Sequence, residues 1–372
     1  MRVSAVDRVK NGVSAFLTDR QSRSEYQARL KWLLRGSGSL PAWSLEYRAG
    51  LGGKFAVDPQ RTNGSETFTM SCPSDCATNA PLSHLYEARY TYELEDTVVN
   101  TVTGATVMCG TSEPPFFVRE SISWPFESIV SHGLDVPEIK DAVPGPSRPT
   151  VVFPSTRNYY HWLIEELPLV VRALQASPDA TVIANTDGLT SRQESVARNL
   201  RFSIQQVPKT VRLGMQVLPG RASDSWFIHP QDASLLHELG QKLAVPDTDS
   251  PRRIYISRRG VARSLPSEVE LESLLSHEGF TILDPRAMRW EDQIAVFQRA
   301  QTVVAPHGAG LSNLVFSEPG VRAIEITNGR HYNRCFEWLC HVQGHKYVPL
   351  SGDDGTYSSP QQLAAAVVEA TA

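Results

Sequence analysis

Thr302-Val-Val-Ala-Pro-His-Gly-Ala-Gly-Leu-Ser-Asn313 is the stretch on which the fold reading turns. Four residues of buried-strand character run into a loop with two glycines, and the apolar residues that follow predict a short helix. The same strand-to-helix alternation extends outward on both sides. Arg253–Ile256 reads as a strand, and Ser267 with Glu270 forms a capping-box pattern opening a helix that Gly279 ends. Phe280–Leu283 is a strand, Trp290–Ala300 a helix, Val321–Ile326 a strand and Tyr332–Gln343 a helix stopped by Gly344. Lys346–Leu350 is a last strand, followed by an alanine-rich helix over Pro360–Ala370. Repeated βα units of this kind require a parallel sheet covered on both faces.

Further upstream the pattern recurs. Thr150–Phe153 and Ala180–Ala184 read as strands, His161–Leu174 and Ser191–Leu200 as helices. Pro168 inside the first helix predicts a kink or a break. Before the linker Val143–Pro149 the periodicity changes, with short strands at Trp43–Tyr47, Thr67–Met70 and Thr97–Val102. Residues 1–35 place Val3, Val6, Val9, Val13, Phe16 and Leu17 at helical spacing, with eight Arg/Lys against three Asp/Glu. They are read as an amphipathic helix packed on its own domain, with peripheral contact to an anionic membrane surface as the alternative. The expected organisation is an extension over 1–145, a first parallel-sheet lobe over 146–225, a second over 226–350 and a tail helix over 351–372.

The 372-residue chain is long enough for two domains, and 41% hydrophobic with 20% charged residues is the composition of a folded protein. A net charge of -4 gives no basic field for nucleic acid. No segment reaches the ~20 apolar residues of a membrane span. Asp7, Arg8, Lys10, Asp19 and Arg20 interrupt any signal-peptide core, so the chain is expected in the cytoplasm, at the inner face of the cell membrane if residues 1–35 touch it. Cys72, Cys76, Cys109, Cys335 and Cys340 are read as unpaired thiols; Cys72 and Cys76 lack a second pair to complete a zinc site.

Ligands of open α/β sheets bind outside the carboxyl ends of the strands. Ser257, Arg258 and Arg259 fall at such an end, as do His307, Gly308, Ala309 and Gly310, while Glu325 closes the next strand. Glycines let backbone N–H groups approach a phosphate, arginines supply charge-assisted donors, and a carboxylate can accept from ribose hydroxyls. Together they describe a nucleoside-diphosphate pocket. Taken singly, each is equally a tight turn, a solvated cation or a structural ion pair. G-x-G-x-x-G is absent, which argues against a nicotinamide enzyme. In Asn158-Tyr-Tyr-His-Trp-Leu-Ile-Glu-Glu-Leu-Pro168, the residues Leu163, Leu167, Val170 and Leu174 form an apolar stripe. His161 and Glu165 are then neighbours on the opposite face, read as open to a cleft beside Tyr159, Tyr160 and Trp162.

These stretches resemble glycosyltransferase family 61, which includes bacterial capsule and envelope polysaccharide enzymes. The resemblance rests on Asn158–Pro168, Ile254–Arg259, Trp290–Ala300, Val303–Asn313 and Pro319–Ile326. It covers about residues 150–350; residues 1–145 match nothing in the family. It implies a GT-B architecture, a pair of Rossmann-type lobes facing a cleft, with an inverting mechanism. It further implies a nucleotide-sugar donor, commonly UDP-linked, and no obligatory metal or other cofactor. By similarity, Ser257 and Arg258 contact the donor diphosphate beside the His307–Gly310 loop, and His161 and Glu165 face the reacting sugar.

On this reading the acceptor is a glycan or a lipid-linked glycan, with Asn158, Tyr160 and Trp162 on its side of the cleft. Glu165 is expected to take the acceptor proton, His161 to orient, and lobe closure to exclude water. Asp247-Thr-Asp249 sits in a polar linker before a strand, away from the carboxyl ends, and is read as a loop. The rival from another class is a non-catalytic nucleotide-sugar-binding subunit of an envelope polysaccharide complex, which keeps the pocket and needs no base.

Overall fold

The C-terminal βα repeats form the sheet their pattern demands. In the computed structural model the chain is described at residues 90–109, 139–156, 158–220, 227–243, 250–261, 264–327, 333–351 and 359–371. Strands at 55–57, 66–70, 82–86 and 116–118 and residues 121 and 137 complete the description. The expected helix over 1–35, the strand Trp43–Tyr47, Cys72, Cys76 and Asp247–Asp249 lie outside these residues.

Strands of the N-terminal half are β1 (Phe55–Val57), β2 (Glu66–Met70), β3 (Leu82–Tyr86), β4 (Tyr90–Asn100), β5 (Thr106–Met108) and β6 (Phe116–Val118). They continue as β7 (Val143–Pro144), β8 (Pro149–Val152), β9 (Thr181–Asn185), β10 (Ile204–Val207) and β11 (Thr210–Pro219). The C-terminal half has β12 (Arg253–Ile256), β13 (Thr281–Leu283), β14 (Thr302–Pro306), β15 (Arg322–Ile326) and β16 (Lys346–Leu350). The helices are α1 (Leu167–Ala176), α2 (Ser191–Leu200), α3 (Pro230–Leu243), α4 (Glu268–His277), α5 (Trp290–Arg299), α6 (Cys335–Gln343) and α7 (Pro360–Thr371).

The second sheet is parallel throughout, in the order β13-β12-β14-β15-β16. The first runs β10-β9-β8-β11-β4-β5-β6. Its strands are parallel as far as β11 and antiparallel beyond. The fold is α/β with parallel-sheet regions. The sheet crosses the expected boundary at 145: β4 pairs with β11 from Thr91 opposite Pro219 to Asn100 opposite Thr210. That pairing satisfies a ten-residue strand edge that would otherwise stand open.

Helix α3 has no counterpart in the sequence reading. Its buried residues Ala233, Leu236, Leu239, Gly240 and Leu243 face a helical partner on either side. It packs on α1 and α2 of the first half and on α5, α6 and the turn Ala309–Phe316 of the second. At Gly240 a Cβ would lie 2.5 Å from the Phe316 ring, so only glycine lets α3 come this close. The capping box expected at Ser267 does not form. Ser267 adopts a left-handed φ of 54° and makes no side-chain cap bond, while Glu270 accepts from Gln361 of α7. A capping box does open α2, between Thr190 and Gln193.

One apolar core runs through both halves, from Val151 and Trp162 to Ile254, Val303 and Trp338. The Trp162 and Trp290 rings meet edge to face at 5.3 Å. Trp290 Nε1 donates to the Tyr159 hydroxyl at 2.9 Å, and that hydroxyl donates to Asn313. Arg192 of α2 lies over both the Tyr159 and Trp162 rings, 5.0 and 4.8 Å from their centroids. Urea unfolding followed by tryptophan fluorescence and far-UV circular dichroism is therefore expected to give coincident single transitions. Trp162→Ala should lower stability by about 3–5 kcal/mol. Two separate transitions would show that the sheets hold independent cores.

Candidate active site

In the second sheet the chain leaves β12 for β13 on one side and returns to β14 on the other. The loops after β12 and β14 thus diverge, and the crevice between them is the topological switch point of the sheet. Ser257, Arg258 and Arg259 follow β12, and His307 to Gly310 follow β14. The two loops touch. A Cβ on Gly308 would lie 1.5 Å from Arg258 Nη1, so the guanidinium occupies the space that any other residue would fill. A Cβ on Gly310 would meet Ile256 at 3.0 Å. Both glycines answer to close approach. The turn Ala309–Phe316 then starts at the crevice, its first N–H groups lacking intrahelical acceptors.

Two carboxylates of α4 hold the first loop in shape. Glu268 Oε1 accepts from the Arg258 backbone N–H at 2.6 Å and from the Tyr255 hydroxyl at 3.1 Å. Burial, and then the Glu268 charge, push the Tyr255 hydroxyl far above its ordinary pKa. The buried Ser257 hydroxyl donates to Glu272 Oε1 at 2.5 Å, and Arg259 Nη1 stands 3.5 Å from Glu272 Oε2. Ser257 and Arg259 are thus tied to α4, and the half-buried Arg258 guanidinium is the group laid against the glycine loop.

Across Gly308 from Arg258, the His307 Nδ1 pairs with Glu325 Oε1, and the Tyr347 hydroxyl donates to Glu325 Oε2 at 2.5 Å. Glu325 is 1% exposed. Each of its oxygens has a protein partner and no face open to solvent, so the ribose contact expected of it gives way to a structural tie between β14, β15 and β16. The sequence shows Glu325 at the correct strand end; the side chains that would reach it come from two other strands.

The segment His161–Glu166 forms a π-turn, with Leu167 N–H donating to Trp162 O, before α1 begins. Pro168 explains it. Proline has no N–H for the carbonyl of residue 164 and its ring would collide with that group in a regular helix, so the preceding turn widens. His161 Nδ1 and Glu165 Oε2 are 2.8 Å apart. The expectation that this face opens to a cleft is corrected by burial: the His161 side chain is 1% exposed and that of Glu165 10%. The apolar stripe packs as expected, and the opposite face is covered as well, because Tyr160 meets Phe336 of α6 edge to face at 5.7 Å. Trp162 lies in the core against Phe153 and Trp290. Asn158 is exposed, and its side chain accepts from the Tyr160 N–H.

Phe336 also meets the His307 ring, at 5.3 Å. The start of α6 therefore stands between the His161–Glu165 pair and the His307–Glu325 pair. The Cys335 thiol reports the same arrangement: burial pushes it up, with Glu325 and Glu165 adding to the shift. Among the described residues no three His, Cys, Asp or Glu side chains group as metal ligands, and no helix is long and apolar enough to cross a membrane.

With two histidine–carboxylate pairs flanking α6 and an arginine–glycine crevice at the switch point, the comparison with known families becomes specific. Residues 159–324 match the family Glycosyltransferase 61. No curated protein matches the chain. The match to Glycosyltransferase 61 supports glycosyltransferase activity, and it takes in Arg258, the His307–Gly310 loop and the His161–Glu165 pair. Glu325, Cys335 and Tyr347 lie beyond its end. Cys335 and Cys340 are buried free thiols raised well above the usual thiol range, chiefly by desolvation. Iodoacetamide at neutral pH, followed by peptide mass mapping, should leave both unmodified until denaturant is added. Labelling of either in the native protein would contradict this packing.

Proposed function

We propose that the chain is an inverting, metal-independent glycosyltransferase of GT-B type that moves a sugar from a UDP-linked donor to a glycan or lipid-linked glycan acceptor. The observation that carries this reading is the Arg258 guanidinium lying in the space left by Gly308 at the switch point of the parallel sheet. A cation beside the start of a helical turn is suited to a diphosphate, and Arg258 has its backbone held by Glu268. The match to Glycosyltransferase 61 over 159–324 supports the transfer chemistry.

In this mechanism the acceptor hydroxyl attacks the anomeric carbon from the side opposite the nucleotide. The bond from that carbon to the diphosphate oxygen breaks, and its electron pair leaves with the nucleoside diphosphate. Glu165 takes the hydroxyl proton, held in place by His161 behind it. Of the two, Glu165 is the less enclosed and carries the acceptor-facing role. Arg258 and the glycine-loop amides meet the charge that develops on the leaving oxygens, a role a metal ion would otherwise fill. Water is kept out by the aromatic packing around the Tyr159–Glu166 segment and by closure over the bound substrates.

Calorimetry with UDP is expected to show binding to the wild type. Arg258→Ala should weaken it by about 1.5–3 kcal/mol, the usual worth of a hydrogen bond to a charged group. Equal affinity would remove Arg258 from the pocket. Glu165→Gln should lower kcat by about 10²–10⁴ and leave UDP affinity unchanged, because only basicity is lost. Near wild-type kcat, measured where chemistry limits the rate, would pass the role to His161. A wild type that binds UDP yet turns over no nucleotide sugar would favour a non-catalytic binding subunit.

A further inference from the structure

The carboxylate of Glu325 is almost entirely buried, and among the described residues its ion-pair partner is a histidine. Burying such a charge without a compensating positive charge is costly. The tie is directional as well. A carboxylate only accepts, so Tyr347 gives its hydroxyl hydrogen to Oε2 and the His307 ring gives its Nδ1 hydrogen to Oε1. With Nδ1 fixed there, the other ring nitrogen, Nε2, is the one available to a ligand at the crevice. His307 retains 19% side-chain exposure, and its neighbour Gly308 lies under the Arg258 guanidinium.

We propose that Glu325 and Tyr347 are positioning residues that hold the His307 ring with Nδ1 engaged and Nε2–H as donor to the diphosphate, so that this side of the crevice reads the phosphates and not the nucleoside. The inference rests on the donor-pocket reading above and deepens it. The His307 ring meets Glu325 of β15 and Phe336 of α6, Tyr347 of β16 bonds that carboxylate, Arg258 lies over the adjacent Gly308, and Glu325 also bears on the Cys335 thiol. Glu165 lies on the far side of that thiol. In the sugar transfer itself His307 moves no proton; it donates a hydrogen bond whose acceptor gains charge as the sugar–oxygen bond breaks.

Tyr347→Phe separates this role from packing, because the ring stays and only the hydroxyl goes. The test uses the full chain, calorimetry with UDP, GDP, CDP and uridine, and imidazole ¹⁵N spectra of histidine-labelled protein, the His307 signals being those lost in His307→Asn. Glu325→Gln should weaken UDP about tenfold or more, as for a lost charge-assisted bond. Tyr347→Phe should weaken it less, about threefold, and both should leave uridine affinity unchanged. Both substitutions should also move the His307 ¹⁵N signals away from the Nδ1-protonated pattern. If both variants melt like the wild type and bind UDP equally well, the inference is wrong. If Glu325→Gln weakens UDP and uridine to the same degree, Glu325 belongs to the ribose and the inference is likewise overturned. A wild type that binds none of the three diphosphates removes the donor-pocket reading and this inference with it.

Discussion

Everything that distinguishes this molecule depends on burying one short segment, Tyr159–Glu166, on all its sides. Its sequence has apolar residues on one face and aromatic and ionisable ones on the other, which in isolation is a surface helix. Here Trp162 and Tyr159 pack into Trp290 and Arg192, while Tyr160 packs on Phe336. A buried histidine and a nearly buried carboxylate are tolerable only as partners, and the 2.8 Å contact between His161 and Glu165 supplies that. The same packing that forces them together merges the two cores.

Around that segment the chemistry is organised by carboxylates that serve arginines and histidines at one remove. Glu268 and Glu272 shape the loop carrying Arg258, Glu325 ties down His307, and Glu165 engages His161. Glu268, Glu272 and Glu325 sit on a helix or strand, and the loop residues Arg258, Ser257 and His307 take their geometry from them, whereas His161 and Glu165 share one turn. This division suits a site that must meet a change of charge without rearranging, since preorganised donors cost little reorganisation when the charge appears.

Much of this was legible beforehand, for reasons that can be traced to particular residues. The βα repeats from Arg253 to Leu350 follow strong periodicity and clear stops such as Gly279 and Gly344, both with positive φ. The crevice was legible because the glycines follow a strand. Three features were not. Strand β11 carries Gly214 and Pro219, which weaken a strand reading, and its pairing with β4 spans over a hundred residues of sequence. Helix α3 begins at Pro230, a residue that punctuates a sequence pattern as readily as it opens a helix. Ser267 fits a capping pattern, but Glu268 and Glu272 are recruited to the neighbouring strand end and the helix begins in another geometry.

By itself the sequence determined which residues can do chemistry and which element each belongs to, because local periodicity and turn chemistry act over a few residues. It also determined the π-turn's origin, since Pro168 cannot fit a regular helix wherever that helix lies. Only the tertiary structure decided the partners. Glu325 answers to His307 and Tyr347 instead of standing open to a ribose, Gly308 is glycine because of Arg258, and the His161–Glu165 pair is enclosed instead of facing solvent. Each of these depends on contacts between elements distant in sequence. Burial, which sets the cost of leaving a charge or a polar group unpaired, is a property of the packed chain and not of the segment.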